Sequence, residues 1–187
     1  MKYVKILGLL AVAAAALMAF AGVASATTVT SSSGTTPKIV SAANGHVVLD
    51  NPIAKIECGS NVEGTVQTHG AGVTAGGAIT ALSFTGCTNS WHVTVVSAGS
   101  LEIHATSGGN GTLTSSGATV ESTRFGITCR YATSKTDIGT VTAGEHAKLD
   151  ISAAIPFHSG SGLCGEGATT WTGSYSVSSP TNLSIDS

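Results

Sequence analysis

Charged and aromatic side chains are scarce in this chain of 187 residues, at 10% and 5% of the composition. Lysine and arginine together number 8, against 10 aspartate and glutamate residues. Binding to phosphate backbones requires clustered basic side chains, and no such cluster is present. The composition therefore excludes nucleic acid from the expected partners, and it also argues against docking on anionic lipid.

Known catalytic and nucleotide-binding motifs are missing as well. The chain has no P-loop, no Rossmann glycine pattern, no HExxH, no C-x-x-C and no serine in G-x-S-x-G. Nothing singles out two carboxylates at the separation that glycoside hydrolysis needs. We therefore predict a protein that is not an enzyme and that holds no cofactor. A small secreted hydrolase that uses His158 and Glu166 is the enzymatic alternative.

The one long apolar stretch lies at the N-terminus. Lys2 and Lys5 precede an uncharged apolar run over residues 6–21, and Ala24-Ser25-Ala26 forms an A-x-A cleavage site. The run is short for a membrane anchor, which needs about 20 residues. We predict a signal peptide over residues 1–26 and a mature chain without a membrane span, which is secreted, extracellular or held at the cell surface.

Cysteine is also scarce: it occurs four times, and all four cysteines lie in the predicted mature chain. An even cysteine count in an exported protein indicates disulfides. A zinc site is the alternative, but no two cysteines show the close spacing of zinc ligands. The chain carries one ordered pattern twice. The first copy is Ile56-Glu57-Cys58, Gly64-Thr65-Val66, Cys87, Trp91 and Leu101-Glu102-Ile103; the second is Ile127-Thr128-Cys129, Gly139-Thr140-Val141, Cys164, Trp171 and Leu183-Ser184-Ile185. This repeat favours one disulfide in each copy, Cys58 with Cys87 and Cys129 with Cys164.

Apolar residues recur with a period of two, which is typical of half-buried antiparallel strands. Glycine-rich connectors separate the alternating segments, and no mature segment has helical periodicity. We predict an all-β fold, an antiparallel sandwich or barrel-like body of roughly eight to twelve strands built from two similar disulfide-stapled units. A single shared body and two packed units both fit this pattern.

The domain boundaries follow from composition and from two turn dipeptides. Residues 27–45 are rich in serine and threonine, which predicts a flexible lead-in with a short strand at Lys38-Ile39-Val40. The β domain is predicted over residues 46–187, with pseudo-repeats at about 46–107 and 117–187. Asn44-Gly45 is typical of a hairpin turn, and Asn110-Gly111 is predicted to mark the joint between the copies.

Three residues are candidates for ligand contact: Trp91, Trp171 and His158. Each tryptophan follows the second cysteine of its copy, where it could form a platform for a sugar ring or pack on the disulfide in a core. His92 and His104 could meet across a sheet and hold a metal with Glu102. Histidines on polar strand faces are more often solvated, so we predict no metal site.

The first copy resembles a known kind of protein in one stretch. Ile79-Thr80-Ala81-Leu82-Ser83-Phe84-Thr85-Gly86-Cys87 and Trp91 follow the first cysteine and its glycine-containing strand. This order is similar to that of small exported bacterial proteins named for activation of alkane oxidation, which are found at the cell surface and in biofilm matrix. The resemblance implies a non-enzymatic surface or matrix role at hydrophobic interfaces.

Taken with the missing motifs, the sequence predicts an exported non-enzymatic surface or extracellular-matrix β-protein with a structural or adhesive role. Its expected partners are components of the cell surface or matrix. The alternatives are a ligand-binding module, for carbohydrate or for an apolar small molecule, and the small secreted hydrolase. Functional contacts are expected on the glycine- and serine-rich loops at residues 70–77, 107–111 and 156–167.

Overall fold

The computed structural model describes residues 27–31, 34, 36–67 and 74–186, so the predicted signal peptide lies outside the described residues. Two short 3-10 segments, Thr88–Ser90 and Gly162–Cys164, accompany the strands. The strands are β1 (Thr28–Ser31), β2 (Lys38–Ala43), β3 (Val47–Asn51), β4 (Ala54–Thr65), β5 (Ala75–Thr85), β6 (His92–Ser97), β7 (Ser100–Thr106), β8 (Asn110–Ser116), β9 (Thr119–Arg124), β10 (Ile127–Ala132), β11 (Thr136–Thr142), β12 (Lys148–Ile155), β13 (Phe157–Gly160), β14 (Thr169–Ser179) and β15 (Leu183–Asp186).

The largest sheet closes on itself as an antiparallel barrel with eight strand positions. Seven positions are held by β4, β5, β7, β8, β11, β12 and β14, and the eighth is shared by β2 and β3. The ring closes because β14 pairs with β12 on one side and with β2 and β3 on the other. A barrel of this size has an interior just wide enough for side chains to fill it. The predicted all-β, antiparallel, barrel-like body is confirmed.

The hairpin turn predicted at Asn44-Gly45 is wrong, because β2 and β3 share one position of the barrel and run in the same direction. Both β2 and β3 run antiparallel to β4, with Ala42 opposite Asn61 and Val47 opposite Cys58. The four residues 43–46 therefore lie opposite only residues 59 and 60 of β4, and the chain continues in the same direction. Gly45 has a φ of +85°, which this bulged segment uses instead of a chain reversal.

A second, four-stranded sheet lies over one end of the barrel, and we call it the lid sheet. Its order is β13-β10-β9-β6. These strands are excursions between barrel strands: β6 lies between β5 and β7, β9 and β10 between β8 and β11, and β13 between β12 and β14. All three excursions leave and re-enter the barrel at the same end, so the lid sheet covers that mouth.

The opposite end carries a two-stranded ribbon made of β1 and β15. Val29 is fully buried there, and the backbone N–H of Ala105 donates to Thr27 Oγ1 at 3.0 Å. The segment 27–45, predicted as a flexible lead-in, contains β1 and β2, and β2 covers the short strand predicted at Lys38-Ile39-Val40. Its serine and threonine side chains suit half-exposed strands as well as coil, so composition alone misjudged it.

Side-chain burial follows the predicted period of two. In β12 exposed and buried residues alternate without exception from Lys148 to Ile155. The core cluster runs through the barrel interior and onto the inner face of the lid sheet, where Val93 and Tyr131 are buried. Burial of this apolar surface is the main stabilising term of the fold.

Both predicted disulfides are confirmed: Cys58 is joined to Cys87, and Cys129 to Cys164. Both copies of the repeat contribute strands to one barrel and one lid sheet, so they form a single body. Asn110-Gly111 is not a joint between units. It opens β8, and Asn110 pairs with Thr106 of the preceding strand across a tight turn.

Candidate functional site

The two tryptophans predicted as ligand contacts are buried in different places. Trp171 lies in barrel strand β14, with its ring centroid 6.0 Å from that of Phe84 and 6.4 Å from that of Tyr175. Trp91 enters the lid sheet and is only 5% exposed. His158 is exposed on β13. The structure therefore favours the core interpretation of both tryptophans and does not bring the three candidates together.

Small cavities remain inside the barrel. The mouth cavity, between the barrel and the lid sheet, has a volume of about 30 Å³, and two cavities deeper in the barrel have about 20 and 50 Å³. A single water needs about 10–15 Å³ of such space, so each cavity holds only a few water-sized groups. The mouth cavity is lined by Leu49, Asn51, Leu82, Phe84, Ala118, Val120, Ser122, Tyr131, Thr133, Ile155, Thr169 and Trp171.

Hydroxyl groups around the mouth cavity differ in their hydrogen bonding. Thr133 Oγ1 contacts Ser115 Oγ at 3.0 Å. By contrast, the side-chain oxygens of Ser122, Tyr131 and Thr169 are buried and make no hydrogen bond within the described residues. Burial raises the pKa of Tyr131 above its ordinary value. These unpartnered oxygens each cost stability.

The other buried tyrosine is fully partnered. Tyr175 is completely buried in the barrel, and its hydroxyl donates to Ser60 Oγ at 2.9 Å. Burial raises the pKa of Tyr175 to about 12, a rise that the hydrogen bond to Ser60 partly offsets. The pair joins β14 to β4 across the barrel interior.

The most unusual surface feature is the β9–β10 hairpin turn. Arg124 pairs with Ile127, so Phe125 and Gly126 form a two-residue loop, and their φ angles are +49° and +79°. Two positive φ angles are the signature of a type I′ turn, whose first position normally holds asparagine, aspartate or glycine. Phe125 occupies that position and is 84% exposed.

A bulky residue at positive φ is a genuine outlier, and the left-handed region costs about 1–2 kcal/mol for a residue with a Cβ. The exposed ring gains little from burial that would offset this backbone cost. Backbone strain of this kind clusters at binding and catalytic sites.

Arg124 links this turn to the buried tryptophan of the lid sheet. Its guanidinium carbon lies 4.6 Å from the ring centroid of Phe125 and 6.0 Å from that of Trp91. Both separations are within cation–π range. The Nε atom of Arg124 is buried and has no hydrogen-bond partner among the described residues. The side chain is thus held between two aromatic rings rather than by an anion.

Beside these residues runs an open groove of about 410 Å³. It lies between the end of β5 and the start of β6, next to the first disulfide. Asn89 and Ser90 on its rim also have positive φ angles, of +55° and +58°. The groove is lined by Phe84, Gly86, Cys87, Ser90, Trp91, His92, Val93 and Thr94.

A second exposed apolar residue lies near the turn. Leu163 is 67% exposed in the 3-10 segment Gly162–Cys164. That segment is fastened to the start of β10, because Cys164 is bonded to Cys129 and the N–H of Ser161 donates to Thr128 O at 3.0 Å. We use the name tip surface for Trp91, His92, Arg124, Phe125 and Leu163.

Of the loops expected to carry function, residues 156–167 contribute Leu163 to the tip surface, whereas residues 70–73 lie outside the described part of the chain. Sequence reasoning missed Arg124 and Phe125. A usable signal was present, since Phe125-Gly126 separates two alternating segments of the right length for a hairpin. The aromatic residue hid a turn that an Asn-Gly dipeptide would have indicated.

The three residues considered as metal ligands, His92, His104 and Glu102, do not come together. His104 lies 3.9 Å from Glu102 on β7, but His92 lies on β6 of the lid sheet, and these two strands are not paired. The described residues contain no group of three or more histidine, cysteine, aspartate or glutamate side chains placed to hold a metal.

No hydrogen bond or ion pair joins His158 to Glu166 within the described ranges, and both residues are exposed. The described part of the chain also contains no helix with the length and apolar character needed to cross a lipid bilayer. No protein family, curated protein or solved structure matches this chain.

Proposed function

We propose that the protein acts outside the cell as a non-enzymatic structural or adhesive component of a surface or matrix, and that it attaches through the tip surface. The observation that carries this proposal is Phe125, an exposed aromatic residue at a strained turn position. A residue kept at such a position against local stability is best accounted for by contact with a partner.

The rest of the molecule supports a scaffold role. The barrel interior is filled by side chains, and two disulfides constrain the chain beside the lid sheet. Disulfides form and persist in oxidising compartments, which agrees with the predicted export. The resemblance to exported surface and matrix proteins supports the same role.

If the protein is instead a ligand-binding module, the exterior of the molecule suits a ligand better than the barrel interior. Interior cavities of 20–50 Å³ are far below the ~300 Å³ at which pockets for typical small-molecule ligands begin. The open groove beside Trp91 falls in that size range and belongs to the exterior. Contact with carbohydrate is therefore better placed at the tip surface than in the barrel.

The proposal is tested by washing the cells that produce the protein and measuring how much stays in the cell and matrix fraction. We expect the wild type to be retained, and the double variant Phe125→Asn, Leu163→Ser to be released about tenfold more. Asparagine suits the type I′ turn, so the variant folds. Val96→Thr is the matched control, because Val96 is also exposed on the lid sheet but lies away from the tip surface. Complete recovery of the wild type as a free monomer in the medium contradicts the proposal.

A further inference from the structure

We infer that the tip surface binds an acidic polysaccharide, with Arg124 pairing with the carboxylate of one sugar and the free face of Phe125 stacking on the ring of a neighbouring sugar. This inference rests on the proposed function, because it names the chemistry of the partner that the same surface would take.

Arg124 is a cation prepared for an anion that the described residues do not supply. Four ion pairs form among those residues, and none involves Arg124. The carboxylate of Glu121, on the same strand, accepts from Arg130 Nε at 2.6 Å. The planar fork of an arginine matches a carboxylate, and rings that hold the fork in place reduce the entropy lost on binding.

Phe125 supplies the second half of the site. One side of its ring is occupied by the Arg124 guanidinium, and the residue is otherwise open to solvent. The apolar C–H face of a pyranose can cover the free side of this ring, while the carboxylate of the next sugar meets the guanidinium on the other side. Ser90, which lines the adjoining groove, offers a hydroxyl to the hydroxyl groups of the sugars.

The charge of the whole chain argues for a specific site rather than for general attraction to polyanions. Removing Lys2 and Lys5 with the predicted signal peptide lowers the formal net charge from −2 to −4. A polyanion is therefore repelled by the molecule as a whole and attracted only where a partly exposed cation without an ion pair lies beside a stacking face. An acidic peptide could meet the charge but does not require the exposed ring of Phe125.

The experiment measures binding of the mature protein to galacturonate oligomers by calorimetry and by backbone amide shifts. The same oligomers as methyl esters keep the ring and lose the charge, and poly-glutamate keeps the charge and loses the ring. We expect binding to galacturonate that weakens with added salt, and at least tenfold weaker binding to both control ligands. Amides of residues 90–94, 123–127 and 162–164 are expected to shift.

Variants separate the two contributions. Arg124→Met keeps an apolar stem over Trp91 without donors and is expected to weaken binding at least tenfold, and Arg124→Lys to restore part of it. Phe125→Asn is expected to weaken binding about tenfold without loss of fold. Arg130→Met, the matched control on the same sheet, is expected to stay within twofold of the wild type. Amide spectra verify the fold of each variant.

The inference is overturned if galacturonate does not bind, if the methyl ester or poly-glutamate binds equally well, or if Arg130→Met weakens binding as much as Arg124→Met. Its failure is distinct from failure of the proposed function. If the wild type is retained by cells and matrix but does not bind galacturonate, only the inference about the acidic sugar is contradicted. A wild type that is not retained contradicts the proposed function itself.

Discussion

The two buried tyrosines differ in whether their hydroxyl groups are satisfied. Tyr175 donates to Ser60, whereas Tyr131 has no hydrogen-bond partner among the described residues. Removing a partnered hydroxyl leaves the other group unsatisfied, while removing an unpartnered one relieves a desolvation cost. The same chemical change should therefore have opposite effects on stability at these two positions.

Tyr175→Phe is expected to lower the free energy of unfolding by about 1–2 kcal/mol, and Tyr131→Phe to leave it unchanged or raise it. The pKa of Tyr175 in the folded protein is about 12, above the ordinary 10.0. The folded state therefore holds this proton more tightly than the unfolded state. That stability is fully present below pH 10 and is lost as the pH rises from 10 to about 12.

Urea unfolding at pH 8, 10, 11 and 12 checks this prediction. The wild type should lose stability above pH 10 with a slope of up to roughly 1.4 kcal/mol per pH unit from Tyr175. The Tyr175→Phe variant should show a shallower decline. Equal slopes in the two proteins would mean that Tyr175 does not set the alkaline limit.

Residue-level features were the hardest to predict from the sequence. No local pattern could pair Tyr175 with Ser60, which lies 115 positions away. The contact between Arg124 and Trp91 is also long-range and depends on how β6 and β9 pair. Such contacts are set by tertiary packing, which local patterns do not encode.

At the scale of single strands, the close approach of two backbones makes one glycine of β5 indispensable. A Cβ atom added to Gly77 would overlap the carbonyl oxygen of Thr65 on β4. The neighbouring atom is backbone, so the clash cannot be relieved by a side-chain rotation. The strand or its partner must shift instead.

Gly77→Ala is expected to lower the free energy of unfolding by about 2 kcal/mol or more. Gly162→Ala is the control, since a Cβ there meets open space, and it is expected to change stability by less than about 0.5 kcal/mol. Thermal and urea denaturation of both variants measures the difference. Similar stability of the two variants would show that the barrel wall yields at this point.

Strand existence was predictable, but strand roles were not. The period of two identified β4, β7 and β12 because one face of each is buried and the other is wet. The Thr/Ser-rich β1 lacks a strong contrast between its faces and is therefore predicted as coil, whereas β2 includes the short strand predicted at Lys38-Ile39-Val40. Asn44-Gly45 is compatible with a bulge as well as with a turn, and only the pairing with β4 decides between them.

At the scale of the whole molecule, the second disulfide and the lid sheet are coupled. Cys129 lies in β10, and Cys164 lies where the chain leaves the lid sheet for β14. The bridge closes a loop of 35 positions, for which the chain-entropy account gives roughly 3–4 kcal/mol. The barrel keeps its complete ring of strand pairs without this bridge.

Replacing Cys129 and Cys164 by serine is therefore expected to loosen the lid sheet before the barrel. Hydrogen exchange should accelerate at least tenfold in residues 92–97, 119–132 and 157–160, with much smaller changes in β7, β8 and β11. Urea should unfold the variant at a lower concentration than the wild type. Uniform acceleration across both sheets would contradict a separately stabilised lid.

The repeated cysteine pattern predicted the compartment and the pairing but not the architecture. Corresponding residues of the two copies lie in different sheets: Cys58 is on a barrel strand and Cys129 on a lid strand. Closure of the barrel depends on β14 pairing with β2, β3 and β12, and pairings between distant segments leave no local trace in the sequence.

The ribbon of β1 and β15 determines how the molecule would respond to tension. Thr28 faces Asp186, so the two outer ends of the ribbon lie side by side. Force that draws these ends apart would open the antiparallel pair one step at a time, like a zipper, instead of shearing all its hydrogen bonds together. The ribbon would therefore yield at low load and lengthen the molecule while the barrel and the tip surface keep their shape.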